Sequence, residues 1–367
     1  MDKIKTLIVD DSAFMRKLIQ DILSVSARIE IVGTARNGED ALKKIKELTP
    51  DVVTMDVEMP VLDGLEALKL IMKEAPVPVV MLSSTTKEGA ENTFLAMQYG
   101  AVDFIAKPSG AISLDLQKVG KELIEKVISA SKANIKNLLN KTPVKKRTEL
   151  HAEEYSKIDL KASSSKRPIA NMKWKPAAKK LICIGTSTGG PRALQNVLTK
   201  FPADIKAPIL VVQHMPPGFT KSLAARMDAL SQIAVKEAED GELLQNGTAY
   251  IAPGGYHLKI RTAEASRLAV QLDQSPPENG HRPSVDILFK SAGSQQEYAK
   301  IAVIMTGMGA DGTKGIIELK NRGNVMAIVE SEETSIVYGM PKAAFATKLI
   351  DEVQNVEDIA DAIMKYV

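Results

Sequence analysis

Three acidic side chains follow short apolar runs near the start of the chain. Asp10 and Asp11 come directly after TLIV, and Asp56 comes directly after VVTM. If these runs are neighbouring parallel strands, the three carboxylates meet at one edge of a sheet, where functional groups collect in doubly wound folds. Mg²⁺ would relieve their mutual repulsion and keep waters free for a phosphate. The pattern therefore predicts that Asp56 attacks a phosphoryl donor as a carboxylate nucleophile.

Two further side chains at the ends of apolar runs fit the same site. Lys107 ends FIAK and could neutralise a phosphoryl group, while Ser83 ends VVMLS and could hydrogen-bond it. Any one of these groups alone is more often an ordinary solvated side chain. Five of them at strand ends favour a phosphorylation switch.

A serine between glycines marks a second site in the C-terminal half. Gly185, Ser187 and Gly189 form G-x-S-x-G after the apolar run LICI and before a helix that should begin near Pro191. A sharp turn from strand to helix exposes a serine hydroxyl, and the glycines relieve crowding. Such a turn can also cradle a phosphate, but no Lys-Ser/Thr follows, which excludes a P-loop.

A nucleophilic serine needs a base and an acid that orients the base. His214 ends the run PILVVQH, and Asp311 follows the run IAVIM, so parallel strands would bring both to the serine. His151 lies in a segment without periodicity and is a poor candidate. His257 and His281 stay possible, although a structural histidine is the commoner interpretation of each.

The arrangement of apolar runs predicts two α/β domains. Five strands alternate with five helices over residues 1–128, which indicates a doubly wound parallel sheet. A second alternation over residues 178–367 predicts a mostly parallel sheet, with an antiparallel insertion near HLKIRT and RLAVQLDQ. Residues 129–177 between them read as a flexible basic linker, in which Tyr155 and Trp174 are unusual and suggest some docking.

Composition limits the class of protein. The chain has 367 residues, of which 44% are apolar and 25% are charged, as in soluble proteins with more than one domain. No run is long enough for a membrane span and the N-terminus lacks a signal-peptide pattern, so we expect a cytoplasmic protein without membrane insertion. The single cysteine, Cys183, lies in an apolar run and is expected to be a buried strand thiol, which gives no support to redox chemistry.

The positive charge of the chain is concentrated in one segment. Residues 131–180 contain 14 Lys and Arg against 4 Asp and Glu, a net charge of +10, whereas the whole chain carries only +3. A nucleic-acid-binding domain should carry its positive charge on a folded face. We therefore expect no nucleic-acid partner.

On these residues, segment 1–128 resembles the receiver domain of two-component response regulators. The matching motifs are VDDS, MDVEMPVLDG, LSS and AKP. The resemblance implies a phosphorylated aspartate, a Mg²⁺ site, a switch hydroxyl, a phosphate-binding lysine and a cis peptide bond before the following proline. The residues in these roles would be Asp56; Asp10, Asp11, Asp56 and the Glu58 carbonyl; Ser83; Lys107; and Lys107–Pro108.

The C-terminal segment resembles a different family. The chain order Ser, His, Asp differs from the orders of the chymotrypsin, subtilisin and α/β-hydrolase types, which indicates a separate group of hydrolases. Residues 178–367 resemble the catalytic domain of chemotaxis protein-glutamate methylesterases, the CheB family, in IGTSTGGP, QHMPPGFT, YIAPGGYH, RPSVD, TGMGADG and YGMPKAA. The resemblance implies demethylation of glutamate methyl esters on methyl-accepting chemotaxis receptors, with release of methanol, and deamidation of receptor glutamines.

The resemblance also assigns roles to particular residues and partners. Ser187 would be the nucleophile, His214 the general base and acid, and Asp311 the orienting carboxylate. The backbone N–H of Met308 is our first choice for an oxyanion donor, and Thr188 is a weaker candidate. A chemotaxis histidine kinase would supply the phosphoryl group, Mg²⁺ would serve the receiver, and ester hydrolysis would need no cofactor.

Two other classes of function compete with this interpretation. A response regulator with a DNA-binding output would carry a helix-turn-helix region, whereas a long α/β domain follows the linker here. A noncatalytic receptor adaptor would not need G-x-S-x-G, QH and GADG at strand ends. Both are weaker than the methylesterase prediction.

Overall fold

The computed structural model describes residues 3–84, 86–107, 113–139, 179–264 and 267–367. Four residues named in the sequence analysis lie outside these ranges, so what was expected of them stays a prediction: the cis bond before the proline, the histidine as a weak base candidate, and docking by the two linker aromatics. They are Pro108, His151, Tyr155 and Trp174.

The N-terminal unit is a five-stranded parallel sheet with helices on both faces, as predicted. The strand order is β2-β1-β3-β4-β5. The strands are β1 Ile4–Val9, β2 Ile29–Ala35, β3 Val52–Asp56, β4 Val79–Ser83 and β5 Asp103–Ala106. The helices are α1 Ala13–Ser24, α2 Gly38–Leu48, α3 Gly64–Glu74, α4 Lys87–Tyr99, α5 Ser113–Ala130 and α6 Ile135–Leu139.

Local sequence explains where these elements begin. Every residue of β3 and of β4 is buried, which matches the continuous apolar runs of strands covered on both faces. Helices α1, α2 and α3 begin after Ser12, Asn37 and Asp63, whose side chains accept a hydrogen bond from the first helical turn. Helix α6 lies within the first residues of the proposed linker.

The C-terminal unit is a seven-stranded parallel sheet in the order β14-β13-β12-β6-β7-β9-β8, with a separate antiparallel hairpin of β10 and β11. Both features were predicted. The strands are β6 Lys179–Thr186, β7 Ile209–Gln213, β8 Ala234–Glu237, β9 Thr248–Ile251, β10 His257–Thr262, β11 Leu268–Asp273, β12 Tyr298–Ile304, β13 Val325–Glu330 and β14 Glu352–Gln354. The helices are α7 Gly190–Leu198, α8 Phe219–Leu230, α9 Val285–Gly293, α10 Thr313–Arg322, α11 Met340–Ala346 and α12 Ile359–Met364.

The order of strands in this sheet positions the serine. Strand β6 lies between β7 and β12, and all three run in parallel, so the loops after them meet at one sheet edge. After β6 the chain continues to β7 on one side of β6, and it later forms β12 on the other side of β6. Ligands bind at such a switch point in doubly wound sheets. Cys183 is buried in β6, and burial raises the pKa of its thiol to about 12, which fits the predicted inert thiol.

None of the helices in the described part of the chain is both long and apolar enough to cross a bilayer.

Candidate active site and phosphoacceptor site

The turn that carries Ser187 is held by backbone hydrogen bonds. The Ser187 N–H donates to the Thr306 carbonyl over 3.0 Å, and the Gly190 N–H donates to the Ser187 carbonyl over 2.7 Å. Gly189 has φ +78°, a conformation that favours glycine, and it is the N-cap residue of helix α7. A Cβ atom on Gly307 would lie 2.8 Å from that of Ser187. Only glycines therefore allow the two loops to approach so closely around the serine.

His214 and Asp311 form a hydrogen bond next to this turn. The His214 Nε2 atom lies 2.9 Å from Asp311 Oδ2, and their side chains are 7% and 2% exposed. If Nε2 carries the proton donated to Asp311, then Nδ1 is free to accept one. Nδ1 has no hydrogen-bond partner among the described residues. A bond from the Ser187 hydroxyl is not formed either, and such bonds often tighten only when substrate binds.

Asp311 lies at the N-terminus of α9, and sequence reasoning missed the groups that hold it. Burial acts to raise the pKa of Asp311, but hydrogen bonds from His214 and from the start of α9 outweigh it and hold the pKa below its usual range. The carboxylate therefore stays ionised and fixed. Besides His214, its donors are the Val285 N–H at 2.7 Å, the Ser284 hydroxyl at 2.9 Å, the Asn279 amide at 3.1 Å and the Asp286 N–H at 3.2 Å.

The other two described histidines differ in their relation to the site. His281 stacks on His214 with ring centroids 3.9 Å apart and planes 10° apart. Burial, and then the neighbouring His214, lower the pKa of His281 to about 3, so this ring is neutral. Stacked rings cannot exchange a proton directly, which makes His281 a support for the base. His257 is buried in β10 and bonds to the Pro276 carbonyl, so its role is structural.

The two oxyanion candidates have different surroundings. The N–H of Met308 takes part in none of the hydrogen bonds found between described residues, and Met308 lies three residues before Asp311. The Thr188 hydroxyl instead donates to Asp103 of the N-terminal unit, at 2.5 Å. Both residues stay proposals for this role, and Met308 has the freer donor.

The predicted phosphoacceptor residues lie together at the carboxyl edge of the N-terminal sheet. Asp10, Asp11 and Asp56 each offer an oxygen atom within 4.8 Å of the others. Burial raises the pKa of Asp56 to about 6, the charge of Asp10 adds to this, and Lys107 opposes it. One oxygen of Asp10 has no hydrogen-bond partner among the described residues, and its nearest cation is the Lys107 ammonium at 3.3 Å. Three carboxylates that repel each other, two of them buried, suit a hard divalent cation, so these residues fit Mg²⁺.

Lys107 and Ser83 also flank this pocket. The Lys107 ammonium lies 2.7 Å from Asp56 and 3.3 Å from Asp10. Burial alone would lower the pKa of Lys107, but these two carboxylates raise it, so the lysine stays charged. The Ser83 hydroxyl donates to the Gly89 carbonyl in α4 at 2.8 Å and would have to turn to reach a phosphoryl group.

Mg²⁺ should stabilise the chain through this site. We expect the thermal unfolding midpoint of wild type to rise by several degrees, because a ligand at a hundred times its dissociation constant adds about 2.7 kcal/mol. Asp11→Asn should lose most of the rise, and since Asp11 is exposed, its fold should persist. The matched control is Asp21→Asn, an exposed acid of α1 that pairs with Lys17. Differential scanning calorimetry checks this, and an equal rise in Asp11→Asn and Asp21→Asn would exclude the site.

The N-terminal unit reaches the serine turn through β5 and α5. Asp103 binds Thr188, the residue after Ser187, and pairs with Lys126 at 3.0 Å. Next to it, the rings of Phe104 and Phe219 lie 4.7 Å apart between the two units. The N-terminal unit therefore contacts the turn that carries Ser187.

Helix α6 makes a second contact between the units. The Asn134 N–H donates to the Ile336 carbonyl, and the Asn137 amide donates to the Glu333 carbonyl at 2.7 Å. Arg192 donates to the Leu138 carbonyl at 2.7 Å. The first residues of the proposed linker are thus attached to the C-terminal unit.

The fold and these two sites indicate a class of protein in which a receiver unit is joined to an α/β hydrolase unit. A family model for CheB methylesterase matches residues 182–363, and one for the response regulator receiver domain matches residues 6–117. Because curated relatives also match along the whole chain, the chain belongs to the CheB methylesterase family, as its motifs had indicated.

The relatives share most of their length with this chain. A protein-glutamate methylesterase/protein-glutamine glutaminase of Geobacillus kaustophilus is 55% identical over 100% of this chain and 99% of its own. A protein of the same name from Bacillus subtilis is 50% identical over 99% and 98%. The crystal structure of the Thermotoga maritima CheB methylesterase catalytic domain is 44% identical, with a TM-score of 0.50, over 52% of this chain and 100% of its own.

Proposed function

We propose that the chain is a phosphorylation-activated protein-glutamate methylesterase. It hydrolyses glutamate methyl esters on methyl-accepting chemotaxis receptors, releases methanol and deamidates receptor glutamines. The observation that carries the proposal is that Ser187 and His214 directly follow two adjacent parallel strands and that His214 is hydrogen-bonded to Asp311, in the loop after a third. The names of the full-length relatives supply the substrate class.

The geometry supports acyl transfer through the serine. Nδ1 of His214 takes the proton as the Ser187 oxygen attacks the ester carbonyl, and the Met308 N–H stabilises the oxyanion. His214 then gives the proton to the departing methoxide, which leaves as methanol. Water attacks the acyl-enzyme with the same histidine as base and releases glutamate. With a glutamine substrate, ammonia leaves in place of methanol.

The acid of the triad works by holding and stabilising the base. Asp311 fixes His214 with its proton on Nε2 and stabilises the imidazolium that forms during both steps. Its donors at the start of α9 keep Asp311 ionised and in place. The neutral ring of His281 adds no positive charge beside the imidazolium.

The receiver would control this site through Asp56. A chemotaxis histidine kinase donates the phosphoryl group to the Asp56 carboxylate. Asp10, Asp11, Asp56 and the Glu58 carbonyl would hold Mg²⁺, which would supply positive charge for the phosphoryl oxygens. Lys107 binds the new group. The Ser83 hydroxyl gives up its hydrogen bond to the Gly89 carbonyl and donates to the phosphoryl group instead. These changes begin at the carboxyl ends of β4 and β5. Helix α4, which follows β4, packs on α7 and α8 of the C-terminal unit and could carry the change to the interdomain contact.

Activation follows if that change weakens the contact over the serine turn. Residues 129–177 would keep the receiver tethered at high local concentration, so a weak contact suffices to cover Ser187. A loss of about 1–3 kcal/mol from the contact changes activity by roughly 5- to 150-fold. The kinase and the receptor glutamates would meet this protein in the cytoplasm.

The test of the proposal is methanol release from methylated receptor membranes incubated with the purified chain. Methanol should appear only with methylated receptors, and each methanol released should match the loss of one glutamate methyl ester. A chain that binds receptors without releasing methanol would instead support the adaptor alternative.

A further inference from the structure

A buried carboxyl group that the mechanism above does not use lies behind the serine turn. Glu330 ends β13 and is 1% exposed. One oxygen accepts a hydrogen bond from the Thr306 N–H at 2.7 Å, and the other accepts one from the Thr334 hydroxyl at 3.1 Å. A buried acid is costly unless its partners need it, so these contacts indicate a role.

Thr306 connects this carboxyl group to the nucleophile. Its carbonyl accepts the Ser187 N–H at 3.0 Å, and its hydroxyl donates to the Thr188 carbonyl at 2.9 Å. The same hydroxyl accepts the Val337 N–H at 3.0 Å. Thr306 is 1% exposed, so water cannot replace these partners. The Thr306 peptide is thus held on one side by Glu330 and on the other by the serine turn.

We propose that Glu330 is a positioning residue for the esterase nucleophile, because its carboxyl group fixes the Thr306 amide and through it the turn that carries Ser187. The inference rests on the proposed function of Ser187. Without the carboxyl group, the buried Thr306 N–H has no acceptor and the peptide must turn to find one. Ser187 and the oxyanion donor of Met308, two residues after Thr306, would both move.

The charge of Glu330 should also matter. Burial raises the pKa of Glu330 to about 7, and the charge of Glu357 adds to this, while bonds from Thr306 and Thr334 oppose it. The neutral form can donate to Thr334 and still accept from Thr306. The ionised form places a negative charge behind the site where the oxyanion develops.

The charged group that acts on the pKa of Glu330 is Glu357. Glu332 and Glu333, on the loop after β13, are exposed, and the Lys200 ammonium donates to the Glu357 carbonyl. The neighbour of Glu330 on β14 is Gln354, which is neutral. Ionisation of Glu330 should therefore lower kcat as pH rises through about 7.

The test compares Glu330→Gln, Glu330→Ala and wild type in the full chain, by methanol release without a phosphodonor. Glu330→Gln keeps an acceptor for the Thr306 N–H, so we expect its kcat to equal that of wild type at about pH 6. Because Gln cannot ionise, the ratio of its kcat to that of wild type should rise about threefold or more by about pH 9. Ala should lower kcat about tenfold or more at every pH, with KM unchanged. The receiver is the same in all three, so the ratios isolate Glu330.

The matched control is Glu237→Gln. Glu237 lies in the edge strand β8 and accepts a hydrogen bond from the Thr220 hydroxyl at 2.6 Å. Glu237→Gln should keep the wild-type pH profile of kcat. A pH-independent ratio for Glu330→Gln would overturn the inference, and so would wild-type kcat in Glu330→Ala. If Glu330→Ala does not fold, the ratio for Glu330→Gln still decides. Loss of activity in Ser187→Ala together with normal Glu330 variants would reject only this inference, whereas an active Ser187→Ala would reject the proposed function.

Discussion

Ser187→Ala should lower methanol release by about 10⁴-fold or more, because only oxyanion stabilisation and substrate binding remain without the nucleophile. The fold should persist, since the turn is held by backbone atoms and by Thr306. The measurement is methanol release from methylated receptor membranes at saturating substrate, with the thermal midpoint as a check on folding.

Two variants calibrate that result. Ser231→Ala removes a buried hydroxyl at the end of α8, outside the site, and should keep wild-type kcat. Asp311→Asn should fall between them, because Asp311 orients and stabilises the base but forms no bond to substrate. If Ser187→Ala retains a rate within about tenfold of wild type, another group is the nucleophile.

Residues 178–367 expressed alone should release methanol faster than the unphosphorylated full chain, by about 5- to 150-fold. The physical reason is that two receiver contacts are then absent, that of Asp103 with Thr188 in the serine turn and that of Phe104 with Phe219 of α8. A CheB catalytic domain from Thermotoga maritima has been crystallised by itself, which supports expression of this fragment. Initial rates on the same receptor membranes, without phosphodonor, give the comparison.

A single substitution provides the counterpart within the full chain. Asp103→Ala removes the carboxylate that binds Thr188 and leaves Lys126 without this partner, so basal activity should rise toward that of the fragment. Glu66→Ala, an exposed receiver acid paired only locally with Lys69, is the control and should not change it. A folded fragment no faster than the full chain would mean that phosphorylation activates by another route, such as recruitment of the receptor.

The positions of the strand ends could be predicted from the sequence, because parallel strands that are buried on both faces appear as continuous apolar runs. Asp56, Ser187, His214 and Asp311 each follow such a run, and the sheets place them as predicted. The family assignment from motifs is confirmed by relatives over the whole chain. The particular roles of these four residues stay predictions until the variants are measured.

Contacts between distant segments were beyond sequence reasoning. Ser284 belongs to the RPSVD motif, but nothing local indicates that it binds Asp311, 27 residues further on. The stacking of His281 on His214 and the bond from Asp103 to Thr188 likewise depend on how separate loops and units pack. Glu330 ends an apolar run like the other acids, yet only the structure shows that it faces the serine turn.

The central claim is that phosphorylation of Asp56 switches on a Ser187 esterase. The most direct measurement is methanol release by wild type and by Asp56→Asn, each with and without a small phosphodonor and Mg²⁺. We expect the phosphodonor to raise the wild-type rate by about fivefold or more and to leave the rate of Asp56→Asn at its basal value. An equal rise in Asp56→Asn, or no rise in wild type that has been shown to carry the phosphoryl group, would contradict the account.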